Sequence, residues 1–508
     1  MGSRTRRAAL AASLVLLATV LPAGVSAGPA GPPVSPAVCD ARPNDTFNKL
    51  LACVTLDGVR EHQAALQAIA DANDGTRVSG SPGYAASVDY AVEVLTERGY
   101  DVTTQEFGFV TFEELSPSVL EEVAPTPAIL PHITMSYSGS GDVTAPVSSP
   151  NPVTGCVDAD WATFTPGTIA LIQRGGSTPT LTCTFALKAN NAIAHGAAGV
   201  VIYNNAAGAL AGTLGNAFTG NISVVGIEQA LGEQLRATAG LELHLKTETL
   251  RTPNTSWNVL AETKGGNANN VVMVGAHLDS VAAGPGINDN GSGSAVVLEI
   301  AEQLYRANPK NKVRFALWGA EEANLVGSTF YINNLSAADH EKIALYLNFD
   351  MVGSPNHVFF IYDGDNSDNT GAGPGPAGSA QIEETFERFF DSRGTAFKGT
   401  DFTGRSDYGP FIATGIPSGG LFSGAEGIKT VEEATTWGGT AGVAYDHCYH
   451  QACDTYANNN DAALDMNADA TAYATLQYAM NTSDVNGVKG KGNFKLVSGE
   501  ALMGLSAK

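Results

Sequence analysis

The sequence predicts an α/β protein: a three-layer α/β/α domain built on a mixed sheet and interrupted by a β-rich insertion. Three observations carry this. The 508 residues are too many for one ordinary core. Strand and helix patterns alternate between Val271 and Phe349. From about Thr111 to Leu250 the style changes to short β-branched runs separated by turns.

In chain order, Leu56 to Ala72 has helical periodicity, Ser79 to Gly83 is a Gly/Pro turn, and Ala85 to Arg98 is an amphipathic helix leading into the strand TTQEF. Within the insertion, Ile169 to Gln173 and Val200 to Tyr203 read as strands. The helix between them ends at a glycine, and NISVVGI is a further strand before a helix over Glu228 to Ala237. The pattern then becomes strand Val271 to Gly275, helix Asn290 to Arg306, strand Val313 to Trp318, helix Leu325 to Asn333 and strand Ala344 to Phe349. Such alternation implies a sheet covered by helices on both faces. Asp363 to Ala380, rich in Gly, Asp, Asn and Pro, reads as a surface loop.

These readings divide the chain into a first domain part at 53–110, an insertion at 111–255, a second domain part at 256–482 and a tail at 483–508. Residues 1–27 read as a signal peptide: Arg4, Arg6 and Arg7 precede an apolar run and the small residues Val25-Ser26-Ala27. The 28–52 stretch reads as a linker or pro-segment. No second run is apolar and long enough to span a bilayer. A secreted, extracellular protein is expected.

A net charge of −23 disfavours nucleic acid and anionic membranes as partners, and a monomer is expected. Six cysteines in an exported chain suggest disulfides, and sequence locality pairs Cys39 with Cys53, Cys156 with Cys183, and Cys448 with Cys453. Thiolate ligation of zinc is the alternative.

The candidate chemistry collects at strand ends. His277 follows VVMVGA, Glu321 and Glu322 follow VRFALWGA, and Asp350 follows ALYLNF. Asp289 lies in the Gly-rich loop opening the next helix, and CYHQAC carries Tyr449 and His450. In α/β sheets, sites form at the carboxyl ends of strands. Each residue alone has a structural reading: Asp289 as a turn or cap residue, the glutamates as helix-dipole partners. Their joint placement is better explained by chemistry. Two imidazoles and three carboxylates can hold two zinc ions, with Asp289 bridging, His277 and Asp350 completing one site, and Glu322 and His450 the other. Glu321 is left as a general base. A Cys448–Cys453 clamp would fix His450 and place Tyr449 to donate to an oxyanion.

The motifs GAHLDS, GINDNGSGSA, WGAEE, LNFDM, GRSDYGPF, GGLF and CYHQACD occur in the order found in the clan MH zinc exopeptidases. They most closely resemble the secreted bacterial double-zinc leucine aminopeptidases. The resemblance covers about Leu56 to Phe107 and Ser256 to Thr482. It implies the roles above, and peptide or protein N-termini as substrate. Glu321, Asp350 and the backbone near Arg405 would hold the free amine, and Phe422 and Met351 would line a pocket for a large apolar first residue. In some relatives Asp465 and Asp469 match calcium ligands, but the aspartate that completes that site aligns near Cys53 here. TIALIQRGG and CTFALKANNAIAHGAAGVVIYN resemble a protease-associated domain. Rival readings are a carboxypeptidase or a single-zinc glutaminyl cyclase on the same fold, or a non-catalytic peptide-binding protein.

Overall fold

The computed structural model describes residues 34–489 apart from 179, 370 and 372. The expected signal peptide and most of the tail lie outside the described residues.

Four parallel strands form the centre of the main sheet, in the spatial order Ser418–Phe422, Ile343–Phe349, Asn267–His277 and Asn311–Trp318. Short strands Phe360–Tyr362 and Lys398–Thr400 extend one edge. The long strand Glu242–Glu262 runs antiparallel to Asn311–Trp318 on the other, so the sheet is mixed. Side chains of a strand alternate between faces, and here they feed two cores. Val272, Val274 and Ala276 join a cluster with the helices Leu56–Asp71, Pro82–Glu97, Gly291–Leu304 and Asp461–Met480. Val271 and Met273 join another with Trp318, Tyr346 and Phe411 on the opposite face. The continuous apolar runs in the sequence are thus strands buried on both sides.

The insertion has its own parallel strands, Ile169–Gln173, Gly199–Tyr203 and Val224–Ile227. The helices Phe185–Ala194 and Gln229–Ala237 accompany them. A two-stranded antiparallel ribbon, Asp101–Ala124 with Glu242–Glu262, joins the two halves of the molecule. One end of Glu242–Glu262 pairs with Asn311–Trp318, and the other pairs with Gly141–Ser148 of the insertion. Neither strand breaks at the boundaries expected near 110 and 255. TTQEF is therefore a small part of a 24-residue strand, which bulges between Glu114 and Val119 around Pro117.

The described part of 28–52, expected as a linker or pro-segment, packs on the main domain. Pro36–Ala41 and Phe47–Leu51 are short helices, and Leu50 is fully buried against the main core. Asn44 Nδ2 donates to the Gln303 carbonyl at 2.9 Å, and a Cys39–Cys53 disulfide closes the segment. The other two expected pairs, Cys156–Cys183 and Cys448–Cys453, are also present, and no described cysteine is free. The expected turn at Ser79–Gly83 is shorter, because Pro82 occupies the first helical turn and the Ser81 hydroxyl caps it through the Tyr84 N–H.

Candidate active site

Strand ends deliver most of the site. His277 is the last residue of Asn267–His277, Asp350 directly follows Ile343–Phe349, and Glu321 and Glu322 lie in the turn after Asn311–Trp318. Asp289 is not the helix cap. Asn290 takes that position, accepting from the Gly293 N–H at 2.9 Å while its amide donates to the Phe349 carbonyl at 2.9 Å. A Cβ on Gly293 would lie 2.2 Å from that carbonyl oxygen, so only glycine lets the helix start this close to the strand.

The two carboxylate oxygens of Asp289 face different imidazoles. Oδ1 is 3.3 Å from His277 Nε2, and Oδ2 is 3.2 Å from His450 Nε2. Asp350 Oδ1 is 3.3 Å from His277 Nε2, and Glu322 Oε2 is 3.0 Å from His450 Nε2. Among the donor triads that result, His277–Asp289–Asp350 and Asp289–Glu322–His450 share one aspartate, and His277–Glu321–Glu322 is another. Glu321 Oε2 stands beside them, 3.9 Å from His277 Nε2.

Burial pushes Glu322 up to about 7 and Glu321 well above the usual carboxylate range, and neighbouring carboxylates reinforce both shifts. Burial also opposes charge on His450, yet hydrogen bonds to Asp289 and Glu322 raise it to about 10. Such a crowd of buried negative charge recruits protons unless cations are supplied. Glu322 Oε1 and Asp350 Oδ1 are buried without a hydrogen-bond partner. Orphaned carboxylate oxygens converging with imidazole nitrogens are a donor set that fits divalent metal.

Supporting groups that sequence reasoning left unassigned hold these ligands in place. His277 Nδ1 lies 3.1 Å from the Asp279 carbonyl oxygen, and the Asp279 carboxylate accepts the Glu321 N–H at 3.2 Å. Asp454 accepts the Asn288 and Asp289 N–H groups at 2.8 and 2.9 Å, and Ser406 donates to Asp350 Oδ2 at 2.5 Å. Arg77 is fully buried. Its guanidinium donates to the carbonyls of Leu278, Pro285 and Gly286, lashing down the loop between His277 and Asp289. Gly286 turns there at φ +61°. Asp279, Ser406 and Asp454 lie within or beside the quoted motifs, which was the available signal; Arg77 had none.

Tyr449 stacks on the His450 ring at 3.8 Å inside the Cys448–Cys453 loop. Arg405 donates to its hydroxyl at 3.2 Å and to Glu426 at 2.6 Å. The Arg405 side chain is therefore engaged rather than free to bind a substrate carboxylate. Met351 and Phe422, with Phe360, Tyr362 and Tyr445, wall a cavity of about 320 Å³ against the ligand cluster. At the expected calcium position, Arg393 lies 3.7 Å from Asp469, so a guanidinium already supplies positive charge there.

Fold and site together define a metallo-hydrolase with its donors at the carboxyl ends of a mixed sheet. The model for peptidase family M28 matches residues 258–475, and that for the PA domain matches residues 141–235. An aminopeptidase of Pseudomonas aeruginosa strain UCBPP-PA14 is 47% identical over 451 residues, covering 85% of this chain and 83% of its own. A probable leucine aminopeptidase 2 of Arthroderma benhamiae is 42% identical over 483 residues, covering 92% of each chain. Among solved structures, a zinc aminopeptidase from Bacillus subtilis superposes with TM-score 0.53 at 26% identity, over 83% of this chain and 94% of that one. The chain belongs to the M28 aminopeptidase family, with an inserted PA domain. It is a metallo-aminopeptidase.

Proposed function

We propose that this chain is an exported double-zinc aminopeptidase that removes large apolar residues, leucine among them, from free peptide N-termini. The observation that carries the reading is the shared Asp289, each oxygen facing a different imidazole, with Glu321 uncommitted beside an aromatic pocket. His277 and Asp350 would hold one ion, Glu322 and His450 the other. Bound there, zinc acidifies water and polarises the scissile carbonyl.

Glu321 takes a proton from the attacking water and passes it to the leaving amine. Burial keeps the Tyr449 phenol protonated far above neutral pH. With Arg405 donating to its oxygen, the Tyr449 proton is available to the developing oxyanion. Glu321, Asp350 and the backbone near Arg405 receive the substrate ammonium. Phe422 and Met351 contribute apolar wall for the first side chain, and the name of the Arthroderma relative supports leucine there. The three disulfides support export to an oxidising compartment.

Release of a chromogenic amine from a leucyl anilide should occur, should be absent for the N-acetylated substrate, and should vanish on chelation and return with zinc. Two zinc equivalents are expected per chain. Equal cleavage of the blocked substrate would overturn the exopeptidase assignment, and one equivalent at full activity would overturn the two-metal site.

The clamp around His450 has its own test. Cys448→Ser with Cys453→Ser frees a ligand loop whose conformation the bridge fixes. Metal retention should then weaken by about 10–100-fold, the range seen when ligand-orienting groups are lost. Titration with a chromogenic chelator measures this, and unchanged retention would show that the loop holds its shape without the bridge.

A further inference from the structure

The ligand cluster stands between two cavities. Beyond the aromatic pocket of about 320 Å³ lies a groove of about 890 Å³, and Glu321, Glu322, Arg405, Tyr449 and His450 line both. One wall of the groove belongs to the catalytic domain, including Val78 to Ser81 and Ala323 to Leu325. The facing wall includes Thr111, Phe112, Glu113, Ser136, Tyr137 and Thr213 of the insertion and its ribbon.

We propose that this groove binds the peptide on the carboxyl side of the scissile bond, so that the inserted domain forms half of the leaving-peptide site. The proposal rests on the aminopeptidase reading above. An exopeptidase of this kind needs a small pocket for one residue and an open space for everything downstream. The larger cavity meets the smaller one at the proposed base and the proposed oxyanion donor, where the scissile bond must lie.

The facing wall is held in position. The Tyr137 hydroxyl donates to the carbonyl of Ala323, the residue after Glu322, at 3.3 Å, and its ring lies 5.7 Å from that of Phe112. Thr111, Phe112 and Glu113 are consecutive, and successive strand side chains point to opposite faces. A groove lined by all three therefore meets the edge of the strand. That strand pairs with Leu250–Thr252 on one side, and among the described residues no strand pairs with its other edge at these positions. An extended peptide can bind such an edge through its main chain, with little demand on sequence. Glu113 is exposed and adds a negative charge, which favours a cationic downstream side chain.

The test compares kcat/KM for leucyl anilide, Leu-Ala, Leu-Ala-Lys-Ala and Leu-Ala-Glu-Ala. Wild type should favour the tetrapeptides over Leu-Ala by about tenfold, with lysine preferred over glutamate by about threefold. Phe112→Ala should erase most of the length dependence. Glu113→Arg, at an exposed position, should reverse the lysine–glutamate preference. Equal efficiency for dipeptide and tetrapeptides in wild type, or an unchanged charge preference in Glu113→Arg, would overturn the groove assignment while anilide cleavage persists. Failure of wild type to cleave the anilide would overturn the aminopeptidase reading itself, and the groove with it.

Discussion

Glu321→Gln should lower kcat on leucyl anilide by about 10²–10⁴-fold, the usual contribution of a general base, while zinc content stays at two. The substitution keeps the side chain's size and leaves its anchoring untouched. The Glu321 N–H still donates to Asp279, and the Glu321 carbonyl still accepts the N–H groups of Asn324 and Leu325 at 2.8 Å each. What disappears is the ability to carry a proton. The two triads that share Asp289 are complete without this residue, so metal retention should not change. Parallel measurements of kcat and bound zinc separate the two effects. Full activity would move the base to another carboxylate, and lost zinc would make Glu321 a ligand.

Asp289→Asn should be as damaging for a different reason. Asp289 is the one carboxylate shared by both triads, and an amide offers a single, uncharged oxygen donor in its place. Losing an outer group that merely orients a ligand costs about 10–100-fold in affinity or activity. Loss of the shared ligand itself should therefore leave about one-hundredth of the activity or less, with zinc falling from two equivalents to one or none. Folding should survive, because Asp454 grips the Asn288 and Asp289 backbone rather than the side chain. Two retained zinc ions and wild-type turnover would show that the carboxylate does not bridge.

The sequence revealed most where burial dictates residue type. Ile169–Gln173 is a strand whose bounds an apolar run between turn residues marks out directly. Asn267–His277 extends four residues before the apolar run begins, because Asn267, Asn269 and Asn270 are polar and the stretch contributes through the sheet end, where Asn270 meets Asn311 and Thr482. The ribbon was least legible. FEELSPSVLEE has no consistent alternation and carries a proline, and its strand conformation comes from pairing with a partner more than a hundred residues away. Of the candidate metal donors, His277, Glu322 and Asp350 were marked by the apolar strands they end or follow, whereas Asp289 and His450 lie in loops and were marked only by the GINDNGSGS and CYHQAC stretches. Arg77 was not, since a buried arginine bonded to three carbonyls leaves no periodicity or spacing for the sequence to display.

The same ribbon imposes an order on biosynthesis. Phe107 pairs with Ser256, roughly 150 residues later in the chain. At about 5–20 residues per second, the first strand waits on the order of ten seconds for its partner to leave the ribosome. During that interval the nascent chain holds an unpaired edge beside an early helix, Pro82–Glu97, whose apolar face has no sheet to cover. The charged residues spaced along that strand, Glu106, Glu113, Glu114, Glu121 and Glu122, are suited to keeping such an edge from pairing with neighbouring chains until its own partner arrives.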